Sequence, residues 1–190
     1  GNVRVRNQAT LGGNMAEADY ASDPPAALVA LDGYVRIVGP RGERQAVLAE
    51  FFLGFYTTTL AEDELLIEIV APPLPSRASS AYLKYKSRSS EDRTCVGVAT
   101  VMAVEAGTCT AARVAVGAAC ETPQRFPALE RQIVGQRLTP AMIGDFAGAY
   151  AAALPEPLDD LRGSARYRRE MTRIHLRRAL SALAGLETAQ

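Results

Sequence analysis

A cluster of prolines near the middle of the chain most constrains how this sequence can fold. Pro72, Pro73 and Pro75 lie close together, and proline supplies no amide hydrogen and disfavours helix in the residue before it. The cluster therefore predicts a linker or a crossing strand. We place a domain boundary directly after it, which divides the 190 residues into segments 1–75 and 76–190.

Segment 1–75 combines strand patterns with one short helix. Two runs rich in strand-forming residues, Tyr34–Val38 and Arg44–Val47, flank a turn sequence and predict a β-hairpin. Leu65–Val70 predicts a further strand. Ser22, Asp23 and the two following prolines precede an apolar run, which is typical of the start of a helix.

In segment 76–190 strands come first and helices follow. Ala81–Lys86, Val96–Glu105 and Ala112–Ala118 predict strands, and Pro140–Ala153 and Ser164–Leu186 predict helices. This order predicts an α+β fold with antiparallel sheets, because strands do not alternate with helices as they do in βαβ units.

Net charge, apolar runs and cysteine spacing argue against nucleic-acid binding, a membrane span, a metal site and a disulfide scaffold. The 21 basic residues balance the 21 acidic ones, so net charge gives no reason to expect nucleic acid or an anionic membrane. No apolar run approaches the ~20 residues of a membrane span. The three cysteines form no CxxC, which predicts neither a metal site nor a disulfide scaffold and indicates a cytoplasmic location.

The sequence offers no set of residues that could catalyse a reaction unaided. Its one histidine, His175, lies among arginines, and we interpret it as a surface residue. The sequence contains no HExxH, Walker A or GxGxxG motif. We therefore predict no catalytic residue on this chain, and in an oxidoreductase a cofactor would carry the chemistry.

A pair of glycines near the start of the chain predicts a binding loop. Thr10–Asn14 places Gly12 and Gly13 between two polar side chains, and adjacent glycines let backbone amides approach an anion such as a diphosphate. The alternative is a simple tight turn. Asp23 could accept hydrogen bonds from ribose or ribityl hydroxyls, or it could, like Ser22, cap the helix that follows.

Several stretches resemble the FAD-binding subunits of molybdopterin dehydrogenases, the family of xanthine dehydrogenase and carbon monoxide dehydrogenase flavoproteins. The match runs in order along the whole chain. It comprises Arg6–Asn14 with Ser22–Pro24 (similar to R-N-x-x-T-I-G-G-N and S-D-x-x-P or close variants), Glu64–Pro72 (E-L-L-x-x-I-x-x-P) and Ala81–Arg88 (A-Y-x-K-x-x-x-R). It continues with Thr122–Arg125, Glu130 and Gly135 (T-P-x-R followed by E and G), and ends with Asp160, Gly163–Arg168 and Arg178–Leu180.

The resemblance implies a fold and a set of FAD-binding residues. Segment 1–75 would be the second FAD-binding subdomain, with an antiparallel sheet and helices. Segment 76–190 would be the flavoprotein C-terminal domain, a three-stranded antiparallel sheet packed with helices. The implied cofactor-binding residues are Thr10, Gly12, Gly13, Asn14, Asp23, Leu66 and Lys84.

Each implied residue has a role and an alternative. The residues from Thr10 to Asn14 would contact the diphosphate and ribityl chain of FAD, and Asp23 would also bind it. Leu66 would line the cofactor pocket, or it could be plain core. Lys84 would lie near the isoalloxazine and stabilise negative charge on reduced flavin, or it could be a lysine that protects a sheet edge.

The resemblance implies an electron-transfer role within a larger oxidoreductase. Electrons would pass from a molybdopterin large subunit, through [2Fe–2S] clusters on a small subunit, to FAD on this chain. The family's preceding subdomain, with its A-G-G-x-S loop, has no match here. We therefore expect that this chain alone is not catalytically competent. The alternative is a scaffold that keeps the fold and partner surface but binds no FAD.

The C-terminal helix is rich in arginine. A solvated helix face, a docking surface for an acidic subunit and a nucleic-acid surface are all conceivable, and the zero net charge argues against the last. We expect these arginines to serve the fold and a subunit contact. They are Arg162, Arg166, Arg168, Arg169, Arg173, Arg177 and Arg178.

Overall fold

The structure is a computed structural model, and it describes residues 3–89 and 93–186. In the first segment the elements are α1 (Val3–Gln8), α2 (Leu11–Glu17), α3 (Asp23–Ala30), β1 (Tyr34–Gly39), β2 (Gly42–Val47), α4 (Leu48–Phe51), β3 (Phe52–Gly54), β4 (Thr57–Thr58) and β5 (Leu65–Val70). In the second they are β6 (Ala78–Tyr85), β7 (Val96–Glu105), β8 (Thr108–Gly117), α5 (Pro127–Ile133), α6 (Pro140–Ala153) and α7 (Ala165–Leu183).

The predicted α+β class and antiparallel sheets are confirmed. Strands β2, β1 and β5 form one three-stranded sheet, β3 pairs with β4, and β6, β7 and β8 form a second three-stranded sheet. All of these pairings are antiparallel. The predicted strands and long helices are present, whereas α1, α4, α5 and the short β3–β4 pair were not predicted.

The second sheet is covered on both faces, and β7 contributes residues to a core on each side. The larger side chains, including Val98 and Met102, pack with α6 and α7 in one core. The other face carries small residues: Ala99 lies opposite Ala115, and both pack with α3 and the first sheet in a second core. The two segments therefore share a core across this sheet.

Helix α3 is attached to the second segment at its C-terminal end by ion pairs. Asp32 follows the helix in a left-handed conformation, with φ 56°. Its carboxylate pairs with Arg113 of β8 at 2.8 Å and with Arg125. Arg125 also donates to the carbonyl oxygen of Val29 and to the buried Glu130, so the T-P-x-R stretch holds the end of α3 in place.

The prediction of a glycine loop at Thr10–Asn14 is wrong, because Gly12 and Gly13 lie in the first turn of α2. Glycine disfavours helix by roughly 1 kcal/mol relative to alanine. Here Thr10 caps the helix and Met15, which is completely buried, anchors it to the core. Capping and burial together outweigh the low helix propensity of the glycines.

Several arginines of the C-terminal helix serve the fold. Arg168 has no exposed surface and donates to the carbonyl oxygens of Cys95 and Ala118 and to Asp160. Arg169 donates to carbonyl oxygens at the end of α6. These two arginines therefore stabilise the fold, as we expected for this helix. The predicted subunit contact stays a prediction.

His175 was predicted to lie on the surface, but it is half-buried. Its ring lies 5.0 Å from the ring of Tyr85, and burial lowers its pKa. The three cysteines, all within the described part of the chain, are buried free thiols. Across residues 3–89 and 93–186, no helix is long and apolar enough to cross a membrane, and no cluster of metal-ligating side chains occurs.

Candidate functional site

The first part of the site is the N-terminus of α2. The hydroxyl of Thr10 accepts a hydrogen bond from the amide of Gly13 at 2.9 Å. The amides of Leu11 and Gly12 precede the first hydrogen bond within the helix, so the helix itself gives them no acceptor. Gly13 and Leu11 are exposed. The turn therefore presents backbone donors and a hydroxyl on the surface.

The two glycines of this turn differ in the space around them. A Cβ on Gly13 would lie 3.0 Å from the hydroxyl oxygen of Thr10, which is tighter than ordinary contact. A Cβ on Gly12 would lie 3.6 Å from a methyl carbon of Leu66. Leu66 of β5 thus packs directly under the glycine turn, and it also contacts the second core. The predicted residues Gly12 and Leu66 are neighbours.

Asn14 links the start of α2 to the start of α3. Its side-chain amide and the Ser22 hydroxyl bond to each other, with distances of 2.6 and 2.9 Å. Ser22 occupies the N-cap position of α3 but makes no side-chain capping bond. The proposed helix-cap role of its hydroxyl is therefore not observed, since Ser22 bonds to Asn14 instead. This contact joins Asn14 to the residue directly before Asp23.

Asp23 binds side chains of the second segment. One carboxylate oxygen accepts from the Tyr82 hydroxyl at 2.9 Å and from the Thr94 hydroxyl at 2.8 Å. The other oxygen accepts from the Lys84 ammonium at 2.6 Å. The side chains of Asp23 and Lys84 are 26% and 27% exposed, so both stay within reach of a ligand.

The surroundings of Asp23 favour its ionised form. Burial would raise the pKa of this carboxyl, but hydrogen bonds from Lys84, Thr94 and Tyr82, together with the charge of Lys84, outweigh burial and lower the pKa below its ordinary value. Burial and the charge of Asp23 raise the pKa of Tyr82, so its hydroxyl is a neutral donor. The Asp23 carboxylate therefore stays ionised beside its ion-pair partner Lys84.

Both roles considered for Lys84 stay predictions, and the structure gives the position and the partner of its side chain. It lies on β6, which is an edge strand of the second sheet, and its ammonium forms an ion pair with Asp23 rather than facing open solvent. The predicted residues Asp23 and Lys84, 61 positions apart, thus meet. Tyr82 and Thr94 were missed by sequence reasoning, although the A-Y-x-K spacing places Tyr82 and Lys84 on the same face of a strand.

The fold and this site define a two-part α+β protein in which a polar helix turn and an ion pair lie at the junction of the parts. Residues 1–74 match the model of the FAD binding domain in molybdopterin dehydrogenase, and residues 81–183 match that of the CO dehydrogenase flavoprotein C-terminal domain. The chain therefore belongs to the family of FAD-binding subunits of molybdenum hydroxylases.

Individual relatives agree with this assignment. The carbon monoxide dehydrogenase medium chain of Hydrogenophaga pseudoflava is 34% identical over 94% of this chain and 62% of the relative. The nicotine 6-hydroxylase medium subunit of Paenarthrobacter nicotinovorans is 33% identical over 93% of this chain and 61% of the relative. A solved structure of the Hydrogenophaga carbon monoxide dehydrogenase, lacking the Mo-pyranopterin moiety, superimposes with a TM-score of 0.91 at 34% identity. It covers 97% of this chain and 63% of that one. The chain thus spans less than two thirds of these relatives.

The residues present fit FAD by the chemistry of their donors and acceptors. A diphosphate needs hydrogen-bond donors, which the backbone of the glycine turn and Thr10 provide. Sugar hydroxyls need an acceptor, and Asp23 is a partly exposed carboxylate. The backbone of Gly12 and Gly13 can be approached closely, whereas a side chain at Gly13 would press on Thr10.

Proposed function

We propose that this chain binds FAD and passes electrons through it as the FAD-carrying component of a molybdenum hydroxylase. The observation that carries the proposal is the ion pair of Asp23 and Lys84, which joins two predicted site residues from separate segments at 2.6 Å. Family membership supports the same function. Bound FAD would supply the electron-carrying chemistry, which side chains do not provide.

Within the proposed site, the residues of the α2 turn bind and orient the cofactor. Thr10, Gly12 and Gly13 would hold the diphosphate through the hydroxyl and backbone amides. Asn14, which is fixed by Ser22, would donate to the phosphate or the ribityl chain. Leu66 would supply an apolar wall beneath the turn. None of these residues takes part in bond making, so their contribution is affinity and placement.

Asp23 and Lys84 would contribute the charged groups of the site. Asp23 would accept a hydrogen bond from a sugar or ribityl hydroxyl. Lys84 donates one hydrogen bond to Asp23, and an ammonium has three N–H donors, so the other two stay open to a ligand. Its positive charge would stabilise negative charge on reduced flavin and thereby raise the reduction potential of the flavin.

We further propose partners and a location. As in the family, the chain would work with an iron–sulfur small subunit and a molybdopterin large subunit, from which it would receive electrons. The names of its relatives, medium chain and medium subunit, support assembly with other chains.

The buried free thiols fit a reducing compartment, and we place the protein in the cytoplasm. Turnover would require the partners, so the first test measures binding.

The test is a titration of the purified chain with FAD, followed by visible absorption. We expect saturable binding by the wild-type chain. Asp23→Ala and Gly13→Val should each weaken it roughly ten- to a hundredfold, the size of a lost hydrogen bond to a charged group. A folded wild-type chain that shows no saturable binding would contradict the proposal and support the scaffold alternative.

Matched controls separate loss of the site from loss of the fold. Asp145→Ala removes an exposed carboxylate on α6. Gly148→Val adds the same side chain as Gly13→Val at a helical glycine with open space around its Cβ position. Both controls should bind FAD like the wild type. If they weaken binding as much as the site variants do, the site assignment is wrong.

A further inference from the structure

The carboxylate of Asp23 receives two hydroxyl donors that no predicted role explains. Tyr82 and Thr94 both donate to the same oxygen, at 2.9 and 2.8 Å, while Lys84 takes the other oxygen. An ionised carboxylate has about four acceptor positions. The protein therefore uses three of them, and about one is left for a ligand.

The position of the Tyr82 hydroxyl depends on a glycine in the neighbouring strand. A Cβ on Gly97 would overlap the Tyr82 hydroxyl oxygen and lie 3.1 Å from its ring. Gly97 is the register partner of Lys84, so Tyr82 crosses over it to reach Asp23. Any side chain at Gly97 would displace this hydroxyl.

The position of Thr94 is fixed by its burial and by the backbone hydrogen bonds of its neighbour Cys95. Thr94 is 1% exposed and lies just before β7. The next residue, Cys95, bonds through its amide to the carbonyl oxygen of Tyr85 and through its own carbonyl oxygen to the buried Arg168. Both hydroxyl donors thus belong to ordered parts of the second segment, and they fix the orientation of the Asp23 side chain.

Among residues 3–89 and 93–186, few other charged groups face Asp23. Lys84 is its ion-pair partner on β6, and Arg93, next to Thr94, pairs with Asp19 of the α2–α3 connection. Helix α3 carries no second charged residue. Near Asp23, β7 and β8 present uncharged small residues to the helix, including Gly97 and Ala99 with their partners in β8, whereas Arg113 of β8 pairs with Asp32 at the other end of the helix. Removal of a hydroxyl donor therefore acts on Asp23 directly.

We propose that Tyr82 and Thr94 are positioning residues of the FAD site, which hold Asp23 ionised and oriented so that one acceptor position meets a ligand hydroxyl. The inference rests on the proposed FAD function. Neither residue needs to touch the cofactor. Their effect on binding passes through the charge and the rotamer of Asp23.

The first measurement is FAD affinity as a function of pH, from about pH 4 to pH 8, for Tyr82→Phe and Thr94→Val. Each variant loses one donor to the carboxylate, so Asp23 takes up a proton at higher pH than in the wild type. The fall in affinity toward acid should begin at higher pH in both variants. At about pH 7 we expect roughly fivefold weaker binding, a smaller loss than for Asp23→Ala, because the carboxylate remains and only its orientation is less well fixed.

Two matched controls lie on the same sheet. Tyr85→Phe also removes a tyrosine hydroxyl from β6, but that hydroxyl bonds to Tyr167 on the opposite face. Thr100→Val removes a buried threonine hydroxyl that donates to the carbonyl oxygen of Ala81 at 3.3 Å. Neither contacts Asp23, and both should keep the wild-type pH profile.

The second measurement needs no cofactor. The titration of the Asp23 side-chain carboxyl is followed by carbon-13 NMR in the ligand-free chain, with Asp23→Asn used to assign the signal. The midpoint should move to higher pH in Tyr82→Phe and Thr94→Val and stay in place in the two controls. If Tyr82→Phe does not fold, Thr94→Val decides.

The two measurements distinguish failure of this inference from failure of the proposed function. An unmoved NMR midpoint in variants that bind FAD like the wild type would overturn the positioning role and leave the FAD function standing. A moved midpoint in a chain that never binds FAD would overturn the FAD function, and with it the role of these hydroxyls in the site. Movement of both the midpoint and the binding profile supports the inference.

Discussion

Arg168 joins the helix that carries it to the strands of the second sheet. The guanidinium is completely buried and donates to the carbonyl oxygens of Cys95 and Ala118 and to the carboxylate of Asp160. Such a charge is tolerated because hydrogen bonds replace its lost hydration. Asp160 in turn accepts from the amide of Arg162 at 2.7 Å, so the turn before α7 is part of the same network.

Replacement of Arg168 should therefore be strongly destabilising. Arg168→Met keeps much of the volume but leaves buried carbonyl oxygens and Asp160 without their donor. We expect the free energy of unfolding to fall by about 2–5 kcal/mol, because each buried carbonyl oxygen left without a donor costs about 1–3 kcal/mol. Urea unfolding followed by circular dichroism measures it.

The matched control is Arg173→Met, which removes an arginine from the same helix. Arg173 forms an ion pair with Glu170, and both side chains are exposed, at 38% and 47%. An exposed pair of this kind is worth about 0–1 kcal/mol. If Arg173→Met and Arg168→Met lower the free energy of unfolding equally, the buried network stabilises the chain no more than an exposed ion pair does.

At the scale of elements, a single carboxylate ties β2 to the turn before β5. Glu64 accepts both arms of the Arg44 guanidinium, at 2.8 and 2.6 Å, and the amide of Ala61 at 2.9 Å. Arg44 also donates to the carbonyl oxygen of Thr59. The hydrogen bonds from Arg44 lower the pKa of Glu64 from its ordinary 4.5 to about 2.

This shift predicts how stability depends on pH. A carboxyl whose pKa is lower in the folded chain stabilises it above the unfolded pKa, and the contribution is lost as pH falls through the folded pKa. The stability difference between wild type and Glu64→Gln should be full above pH 4.5 and disappear toward about pH 2. Urea midpoints across this pH range measure the difference.

A neighbouring exposed carboxylate provides the comparison for this titration. Glu62→Gln, two residues away, should differ little from the wild type over the same range, since Glu62 is exposed. A Glu64→Gln variant whose deficit persists unchanged at the acid end would contradict the electrostatic explanation. It would point instead to packing of the amide as the cause.

At the scale of the whole molecule, the second sheet joins the two segments. Gly117 of β8 lies against α3, where a Cβ would come within 2.8 Å of the Cβ of Ala26. The ends of α3 are held by Asp23 and Asp32, each bonded to side chains of the second segment. The segments therefore share one core and both ends of one helix.

Shared packing predicts that the two segments unfold together. Gly117→Val should push α3 away from the sheet and destabilise the chain by about 1–3 kcal/mol, as overpacking does. Hydrogen exchange should show lost protection in β1 and β5 as well as in β7 and β8. The control is Leu161→Val, at a side chain that is 89% exposed. It should change neither the stability nor the hydrogen-exchange protection. Loss confined to one segment would show that they are independent.

The sequence by itself determined most of the secondary structure and the family. Strand runs such as Val96–Glu105 and helices such as Pro140–Ala153 follow from periodicity, prolines and turn residues, which act over a few neighbouring positions. Motifs in a fixed order identified the FAD-binding family because each is local and their joint occurrence is specific. Assignment of individual residues to the cofactor stays a prediction.

The tertiary structure alone decided which residues meet. Thr10–Asn14 became a helical turn because Met15 is buried against the core, a contact that local propensity does not register. Asp23 became the partner of Lys84, with Tyr82 and Thr94, because α3 lies on the small-residue face of the second sheet. Such pairings depend on packing between segments distant in sequence, and no local pattern specifies them.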